Sequence, residues 1–443
     1  MAAAIILEHT PYDCLVLALD KKDDKSLAKK VLSDYFGGHR PVIAFSLLSG
    51  REDLFNLAGE LKAEGAVTIL AGPQADVDFL GEKQWPIFPH RFAGVSKQFS
   101  LALWGPAEQA IHLLYNLDHS DQLLTPGLLY VNKEGKMIQN PRLIWDTHFL
   151  RKVSWDQIYR PGEKGLTKLP ITTAQVLQQI GCPHAAKAEE IEVGYPALLS
   201  EHRSQKIRLK VKGCSFCDVA VDKGFHGLLD QETVLAQIHG LPEMPDQRKI
   251  PFELINENPL PGLPHLLNGL KERRISLSQI NLTLRADELV KHRERLEQAL
   301  GLCREMRVRL LAASIGFESF DDRILQNLHK GLDTRTNLEA IQIMRRLKQR
   351  FPYQWAYSRQ EGAVHGFIHP TPWDTPESEE KIGKVIKEHA LDKDILPPHS
   401  TPLIIHHASY LGDWIRAVEA RENISFKRYV STIGWWPEAI IGP

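Results

Sequence analysis

The sequence predicts an α/β protein: a Rossmann-like, doubly wound N-terminal domain, then a partial (βα)6 TIM-type barrel and a C-terminal cap. Three observations carry this reading. Short apolar strands alternate with amphipathic helices over about the first 130 residues, a strand, loop and helix pattern recurs from Ile207 onward, and polar groups recur where those later strands end. Strands alternating with helices of 10–15 residues imply parallel sheets, whose ligands sit at the carboxyl ends of the strands.

In the first domain, Cys14 to Leu19 (CLVLAL) is expected to be a strand, followed by a charged helix from about Asp24 to Tyr35. Pro41 to Leu48 (PVIAFSLL) is the second strand and Ala66 to Ala71 (AVTILA) the third, with a helix from about Arg51 to Glu64 between them. The carboxyl edge of that sheet then carries Ser46, Ser49, Gly50 and the turn Gly72-Pro73-Gln74-Ala75. Residues 126–203, with several prolines and little periodicity, read as a linker between the domain at 1–125 and the barrel at 204–385. Four barrel strands follow: IRLKVKG from Ile207, IPFELINE from Ile250, INLTLRAD from Ile280 and VRLLAASIGFES from Val308. Their expected helices are Gln231–His239, Pro264–Glu272, Glu288–Ala299 and Thr336–Arg350, and residues 386–443 form the cap.

Composition narrows the function classes. The chain has 443 residues, 43% hydrophobic and 25% charged, so it can bury a core in each of two or three domains and is not a disordered chain. Its net charge of −1 and lack of a long basic stripe give no footing for phosphate neutralisation, so nucleic acid is not an expected partner. The longest apolar runs are too short to span a bilayer, and MAAAIILEHTPYD lacks the basic start and long apolar core of a signal peptide. A cytoplasmic protein is expected. Five cysteines, at 14, 182, 214, 217 and 303, are then reduced thiols rather than a disulfide framework.

Only Cys214 and Cys217, in Gly213-Cys214-Ser215-Phe216-Cys217, stand at metal-ligand spacing. Two thiolates three positions apart can bind one ion or two irons of a cluster. Alone, such a pair suits half a zinc site, a redox pair or two buried thiols equally well. Around it, Asn256-Glu257-Asn258-Pro259 follows one strand, Arg285-Ala286-Asp287 the next, and Ser314-Ile315-Gly316-Phe317-Glu318-Ser319 lies on a third. Singly, Glu257 reads as a helix cap, Arg285 and Asp287 as a local pair, and Glu318 as a solvated loop residue. In register at strand ends, they read as a site.

The order of these segments resembles radical S-adenosylmethionine enzymes: a CxxxCxxC loop with an aromatic before its last cysteine, an acidic segment after the second strand, and a glycine-containing strand ending in Glu. Gly316 through Leu325, with Lys330-Gly331, resembles the fifth-strand segment of members that carry cobalamin. Gly72-Pro73-Gln74-Ala75 resembles the GGPHA-type turn of their cobalamin domains, and Trp104-Gly105-Pro106-Ala107-Glu108 falls at their GEGE-type turn. The resemblance covers roughly residues 10 to 385. It implies a 4Fe–4S cluster on three thiolates, with the open iron chelating the amino and carboxylate groups of S-adenosylmethionine. One-electron reduction would then give a deoxyadenosyl radical that abstracts hydrogen from a small-molecule substrate. By the same resemblance Phe216 packs near the cluster or adenine, Glu257 with Asn256 and Asn258 holds the methionine ammonium, and Arg285 takes its carboxylate. Gly316 admits backbone to the adenine, and Glu318 joins the same site. Ser46, Gly72 and Gly105 would face cobalamin, and a flavodoxin or ferredoxin would supply the electron.

Two departures from the pattern stand out. The first motif cysteine would fall at 210, and that residue is Lys210, a poor ligand because its amine is protonated near neutrality. Three explanations stay open: a distant thiol completes the set, Cys182 ahead of Cys303; a histidine or small molecule replaces it; or the site is degenerate and only the fold is kept. In the first domain there is no D-x-H-x-x-G, and Ala71 and Gln74 replace the second Gly and the His of the GGPHA-type turn.

A histidine-rich set, His365, His369, His399, His406 and His407, lies toward the C-terminus. On a strand, His365 and His369 would share one face and line the barrel mouth, against the plainer reading of structural histidines in polar turns. The expected function is a radical S-adenosylmethionine enzyme performing methyl transfer or radical rearrangement, against a cofactor-binding relative without the cluster or a zinc or redox protein using Cys214 and Cys217.

Overall fold

The computed structural model describes residues 1–47, 51–72, 75, 98–199, 205–217, 225–429 and 432–442. Ser49, Gly50, Pro73 and Gln74 lie outside these. Contacts divide the chain into two compact units, Met1–Ile171 with Arg428–Thr432, and Thr172–Lys427 with Ile433–Pro443.

In the first unit, strands β2 (Val42–Ser46), β3 (Val67–Ala71), β4 (Leu101–Leu103), β5 (Leu128–Val131) and β6 (Met137–Gln139) form one sheet in that order. β2, β3 and β4 run parallel, whereas β5 and β6 add antiparallel strands at one edge. Both faces are covered. Leu54, Phe55, Leu57, Ala58 and Leu61 of the helix Glu52–Ala63 pack on Phe45, Leu70 and Ala102, and Leu113 of the helix Gln109–Tyr115 packs with Val67, Ile69 and Leu103. Burial on both faces explains the near-continuous apolar run of β3, whereas edge strand β2 buries Phe45 and leaves Ala44 and Ser46 exposed. The charged helix expected after the first strand is present at Lys25–Phe36, capped by the Asp24 carboxylate, which accepts from the Ser26 amide.

The first expected strand is different. β1 is two residues, Val16–Leu17, and pairs in parallel with β7 (Ile158–Gly162), which pairs with β8 (Gly165–Lys168) in a separate three-stranded sheet. Val16 is 41% exposed while Leu70 is fully buried, so β1 lacks the two covered faces that an inner parallel strand needs. Without it, the order β2-β3-β4 among the described strands is sequential.

In the second unit, β9 (Ala174–Leu177), β14 (Phe252–Ile255), β15 (Gln279–Arg285) and β16 (Arg309–Glu318) form a parallel sheet in that order. Two short strands, β17 (Trp355–Ala356) and β18 (Gly366–Phe367), continue it along successive stretches of β16. Phe252, Leu254, Ile280, Leu282 and Leu310 are fully buried, and this apolar ladder holds the strand ends in register. Helices Gln231–His239, Leu263–Glu272 and Thr334–Arg350 form close to their expected bounds, and the expected Glu288–Ala299 becomes Ala286–Lys291 followed by Arg293–Met306.

One expected barrel strand is elsewhere. IRLKVKG lies in β12 (Lys206–Lys212), which pairs antiparallel with β11 (Ala188–Gly194) in a two-stranded hairpin outside the parallel sheet. The first strand of that sheet is β9, inside the span read as a linker, followed by β10 (Gln179–Gly181), which pairs antiparallel with β13 (Phe225–Leu228). The pattern of β12 explains why: Ile207 and Val211 are buried while Arg208, Lys210 and Lys212 are exposed, the mark of a strand with one wet face.

Candidate functional site

Because the strands of the second unit are parallel, their carboxyl ends deliver residues to one edge of the sheet. β14 ends at Ile255 and leads into Asn256-Glu257-Asn258; β15 ends at Arg285, which pairs with Gly316 of β16; β16 ends at Glu318, which pairs with Phe367 of β18. β9 and β10 lead through Gln178 and Gly181 to Cys182. Side chains tie these ends together. The Asn256 amide donates to the Gln178 side-chain oxygen at 2.8 Å, and the Glu257 N–H donates to that of Gln179 at 3.1 Å.

The Cys214 loop is docked at this edge by the turn at Asn327–Lys330. The Ser215 N–H donates to the Leu328 carbonyl at 3.0 Å and its hydroxyl to the Asn327 carbonyl at 2.8 Å. The His329 Nδ1–H donates to the Gly213 carbonyl at 2.8 Å, while its Nε2 lies 3.1 Å from the Glu189 carboxylate of the hairpin. His184, two residues after Cys182, stacks on His329 with centroids 5.6 Å apart and donates from Nε2 to its carbonyl at 3.2 Å. His329 therefore stitches both cysteine segments to one turn. The Cys217 N–H closes the loop on the Cys214 carbonyl at 3.2 Å.

Charged groups surround the thiols. Arg285 Nη1 approaches Cys214 Sγ at 3.8 Å. Its Nε and Nη2 donate to the two Asp287 carboxylate oxygens at 3.0 and 3.1 Å, and Nη2 also donates to the Lys330 carbonyl at 2.6 Å. The Lys330 ammonium is buried, 2.8 Å from Glu318 and 5.9 Å from the centroid of the Phe216 ring. Burial alone would lower its pKa, but the charges of Glu318 and Cys214 outweigh it and the net direction is upward. Burial pushes the Cys182 thiol up, helped by the nearby Glu257 and Cys214 charges, while Arg285 pulls it down. Cys182 thus shares an electrostatic neighbourhood with Cys214, Glu257 and Arg285.

Burial likewise raises the Glu257 carboxyl, with Lys330 and Arg285 opposing. Among the described residues no hydrogen bond or ion pair reaches that carboxylate, and the buried Asn258 Oδ1 has no partner although its Nδ2 donates to Glu288 at 2.7 Å. Two adjacent acceptors without donors fit an incoming ammonium. Two thiols bracketed by cations fit an anionic iron–sulfur core. Among the described residues, no group of three or more His, Cys, Asp and Glu is gathered as for a single metal ion.

Several sequence expectations are corrected. Lys210 is no occupant of a ligand position: it is exposed on the hairpin opposite Glu190. Cys303 is fully buried in the helix Arg293–Met306, its thiol pushed up to about 12 by desolvation, and it is a core side chain. Gly316 is required bare by protein, since a Cβ there would collide with the Glu318 carboxylate and come within 2.5 Å of Lys330 Nζ. Arg285, expected to take a carboxylate from a ligand, has both edges of its fork occupied by Asp287, Lys330 and Cys214. His365 is buried, its Nδ1 accepting from the Ile315 N–H at 3.1 Å and its Nε2–H donating to the Tyr357 carbonyl at 2.7 Å, so it braces β16 instead of lining a mouth. His369 is held 3.1 Å from Asp374, and His399 is exposed.

In the first unit, Ser46 and Gly72 do meet at the ends of β2 and β3, where a Cβ on Gly72 would strike the Ser46 hydroxyl. Gly105 is covered: a Cβ there would lie 2.9 Å from Arg142 Cδ, and that guanidinium stacks 4.8 Å from the Trp104 ring centroid. Sequence reading missed Gln179, His184 and His329 as site residues and left Lys330 without a role. The Gly-Cys-Pro-His stretch at 181–184 was the available signal.

Neither a protein-family pattern nor a curated protein sequence matches the chain. Solved structures do. The cobalamin-dependent S-adenosylmethionine radical enzyme OxsB with aqua-cobalamin bound superimposes with a TM-score of 0.57 at 13% identity, covering 92% of this chain and 57% of that one. OxsB with aqua-cobalamin and S-adenosylmethionine gives 0.55 at 14%, covering 91% and 57%. Apo, selenomethionine-labelled OxsB gives 0.54 at 14%, covering 94% and 58%. This chain shares the OxsB fold. It spans little more than half the length of the OxsB chain.

Proposed function

We propose that the protein is a radical S-adenosylmethionine enzyme whose cluster thiols are Cys182, Cys214 and Cys217, the first separated from the others by an inserted hairpin. The observation that carries this reading is the neighbourhood of Cys182 and Cys214. Thiols 32 positions apart in sequence stand at the carboxyl edge of one parallel sheet, within electrostatic reach of each other and of Arg285. The segment Gly181-Cys182-Pro183 and the segment Gly213-Cys214-Ser215-Phe216-Cys217 then act as two halves of one ligand loop, with β11 and β12 between them.

The cofactors supply, when bound, a one-electron route to a carbon radical. What this chain's own residues do follows from their chemistry. Glu257 and Asn258 Oδ1 accept the donors of the methionine ammonium, Phe216 covers the cluster loop, and the Glu318–Lys330 pair fixes the wall between β16 and β18. The fold likeness to OxsB supports cobalamin as a second cofactor, bound in the first unit near Ser46 and Gly72. A small-molecule substrate undergoing methyl transfer or radical rearrangement, a flavodoxin or ferredoxin as electron donor and a cytoplasmic setting complete the proposal. Among the described residues no helix is long and apolar enough to cross a membrane.

Anaerobic reconstitution tests it. The expected result is about four irons per chain with a 4Fe–4S spectrum, lost as fully in Cys182→Ala as in Cys214→Ala. Full iron content in Cys182→Ala removes the split ligand set; zinc alone, or no metal, in the unaltered protein removes the enzyme reading.

A further inference from the structure

The structure assigns Arg285 to the cluster's sulfur ligand: its Nη1–H donates to Cys214 Sγ and thereby tunes the reduction potential of the bound cluster, rather than gripping the carboxylate of S-adenosylmethionine. This rests on the cluster reading above. The geometry is specific. A carboxylate ligand takes two parallel N–H groups along one edge of a guanidinium fork. Here the Nε and Nη2 edge is already clamped by both Asp287 oxygens, and Nη2 is shared with the Lys330 carbonyl at 2.6 Å. Nη1, the remaining nitrogen, is aimed at Cys214 Sγ, 3.8 Å away. With a side chain only 12% exposed, the group is held in place by these partners, and the fork has no second free edge to turn toward a ligand.

The consequence follows from charge. When the cluster takes one electron from a donor, its net charge becomes more negative by one, and no bond in the protein is made or broken. A cationic N–H directed at a ligating sulfur stabilises that extra charge, and hydrogen bonds to the sulfurs are among the levers that set cluster potential. Asp287 has a positioning part here: it does not touch the thiol, but it fixes the guanidinium that does.

The test is a redox titration of the reconstituted full-length chain with dithionite, followed by the spin signal of the reduced cluster, in the absence of S-adenosylmethionine. Binding of S-adenosylmethionine is measured separately. Arg285→Gln is expected to keep its iron and to shift the oxidised-to-reduced ratio about tenfold at a given potential, a midpoint about 59 mV more negative. Its affinity for S-adenosylmethionine should stay within about twofold. Arg285→Lys, which keeps a charge but cannot be held as a fork by Asp287, should shift the midpoint in the same direction by less. An unmoved midpoint overturns the proposal. So does an affinity loss of about tenfold or more, which would return Arg285 to the carboxylate. Loss of iron in both Arg285 variants would assign the residue to assembly and overturns it too. If the unaltered protein takes up no iron, it is the cluster reading that fails, a separately visible result.

Discussion

Glu318 holds its carboxylate between two glycines. A Cβ on Gly366 would stand 2.7 Å from Oε2, and one on Gly316 would collide with Oε1, so both positions are kept bare by this one side chain. Glu318 itself adopts a left-handed backbone, φ 59°, which a residue other than glycine tolerates only when its surroundings fix it. The Lys330 ion pair does the fixing. The same strand is braced from behind by His365, and that histidine carries a pH prediction. Desolvation pushes its pKa from 6.5 down to about 4. The folded state resists protonation while the unfolded state does not, so the unfolded chain binds the extra proton first as pH falls. The contribution is fully present above 6.5 and is lost progressively as pH drops toward 4, roughly 3 kcal/mol in all at 1.36 kcal/mol per unit. Urea midpoints measured across that window should fall for the unaltered protein and fall less steeply for His365→Gln, whose side chain does not titrate. Parallel slopes would show that His365 is not the proton acceptor.

At the scale of elements, the hairpin of β11 and β12 decides how the cysteine pattern is to be read. Its inner face pairs Val211 with Glu189, Leu209 with Ile191 and Ile207 with Val193, and its outer face pairs Lys210 with Glu190 and Arg208 with Glu192. The strict alternation of KIRLKVK was legible in the sequence, and it describes a half-solvated strand; strands of the parallel sheet read LLAASIGF and FELI, closer to unbroken apolar runs. The local period gave the strand but not its partner, because pairing is a long-range choice that neighbouring residues do not encode. Counting back four positions from Cys214 therefore enters the hairpin, not the ligand loop. This yields a discriminating variant. Lys210→Cys restores the contiguous CxxxCxxC spelling, yet its thiol would stand on the exposed outer face. Introduced into Cys182→Ala, it is expected to recover none of the lost iron. Recovery of a full cluster would mean that spacing along the chain, and not the edge of the sheet, selects the ligands.

At the scale of the whole molecule, the two units differ in how far their sequences disclosed them. In the second, β14, β15 and β16 and the helices between them are strongly periodic, and their ends were readable as a site; β9, only four residues of AQVL after a threonine pair, was not. In the first, β2 and β3 were readable as short apolar runs, β3 buried along its length, whereas β1 was overread, since an apolar run of this length does not say which sheet it joins. That difference bears on cobalamin. Among the described strands the order β2-β3-β4 is sequential, and the turn after β4 is roofed by Arg142 over Trp104. The open positions are Ser46, whose side chain is exposed, and Gly72, at φ 71° beside it. A corrin bound to this unit should therefore depend on the ends of β2 and β3 and be indifferent to Gly105. Titrating the full-length chain with hydroxocobalamin, followed by absorbance, should give binding at micromolar ligand. Ser46→Phe, which crowds Gly72, should weaken it about tenfold or more, while Gly105→Ala, pressed against Arg142, should cost stability and leave the affinity of the folded protein alone. Absence of binding at micromolar ligand, or an affinity lost through Gly105 and kept in Ser46→Phe, would contradict this account of the first unit.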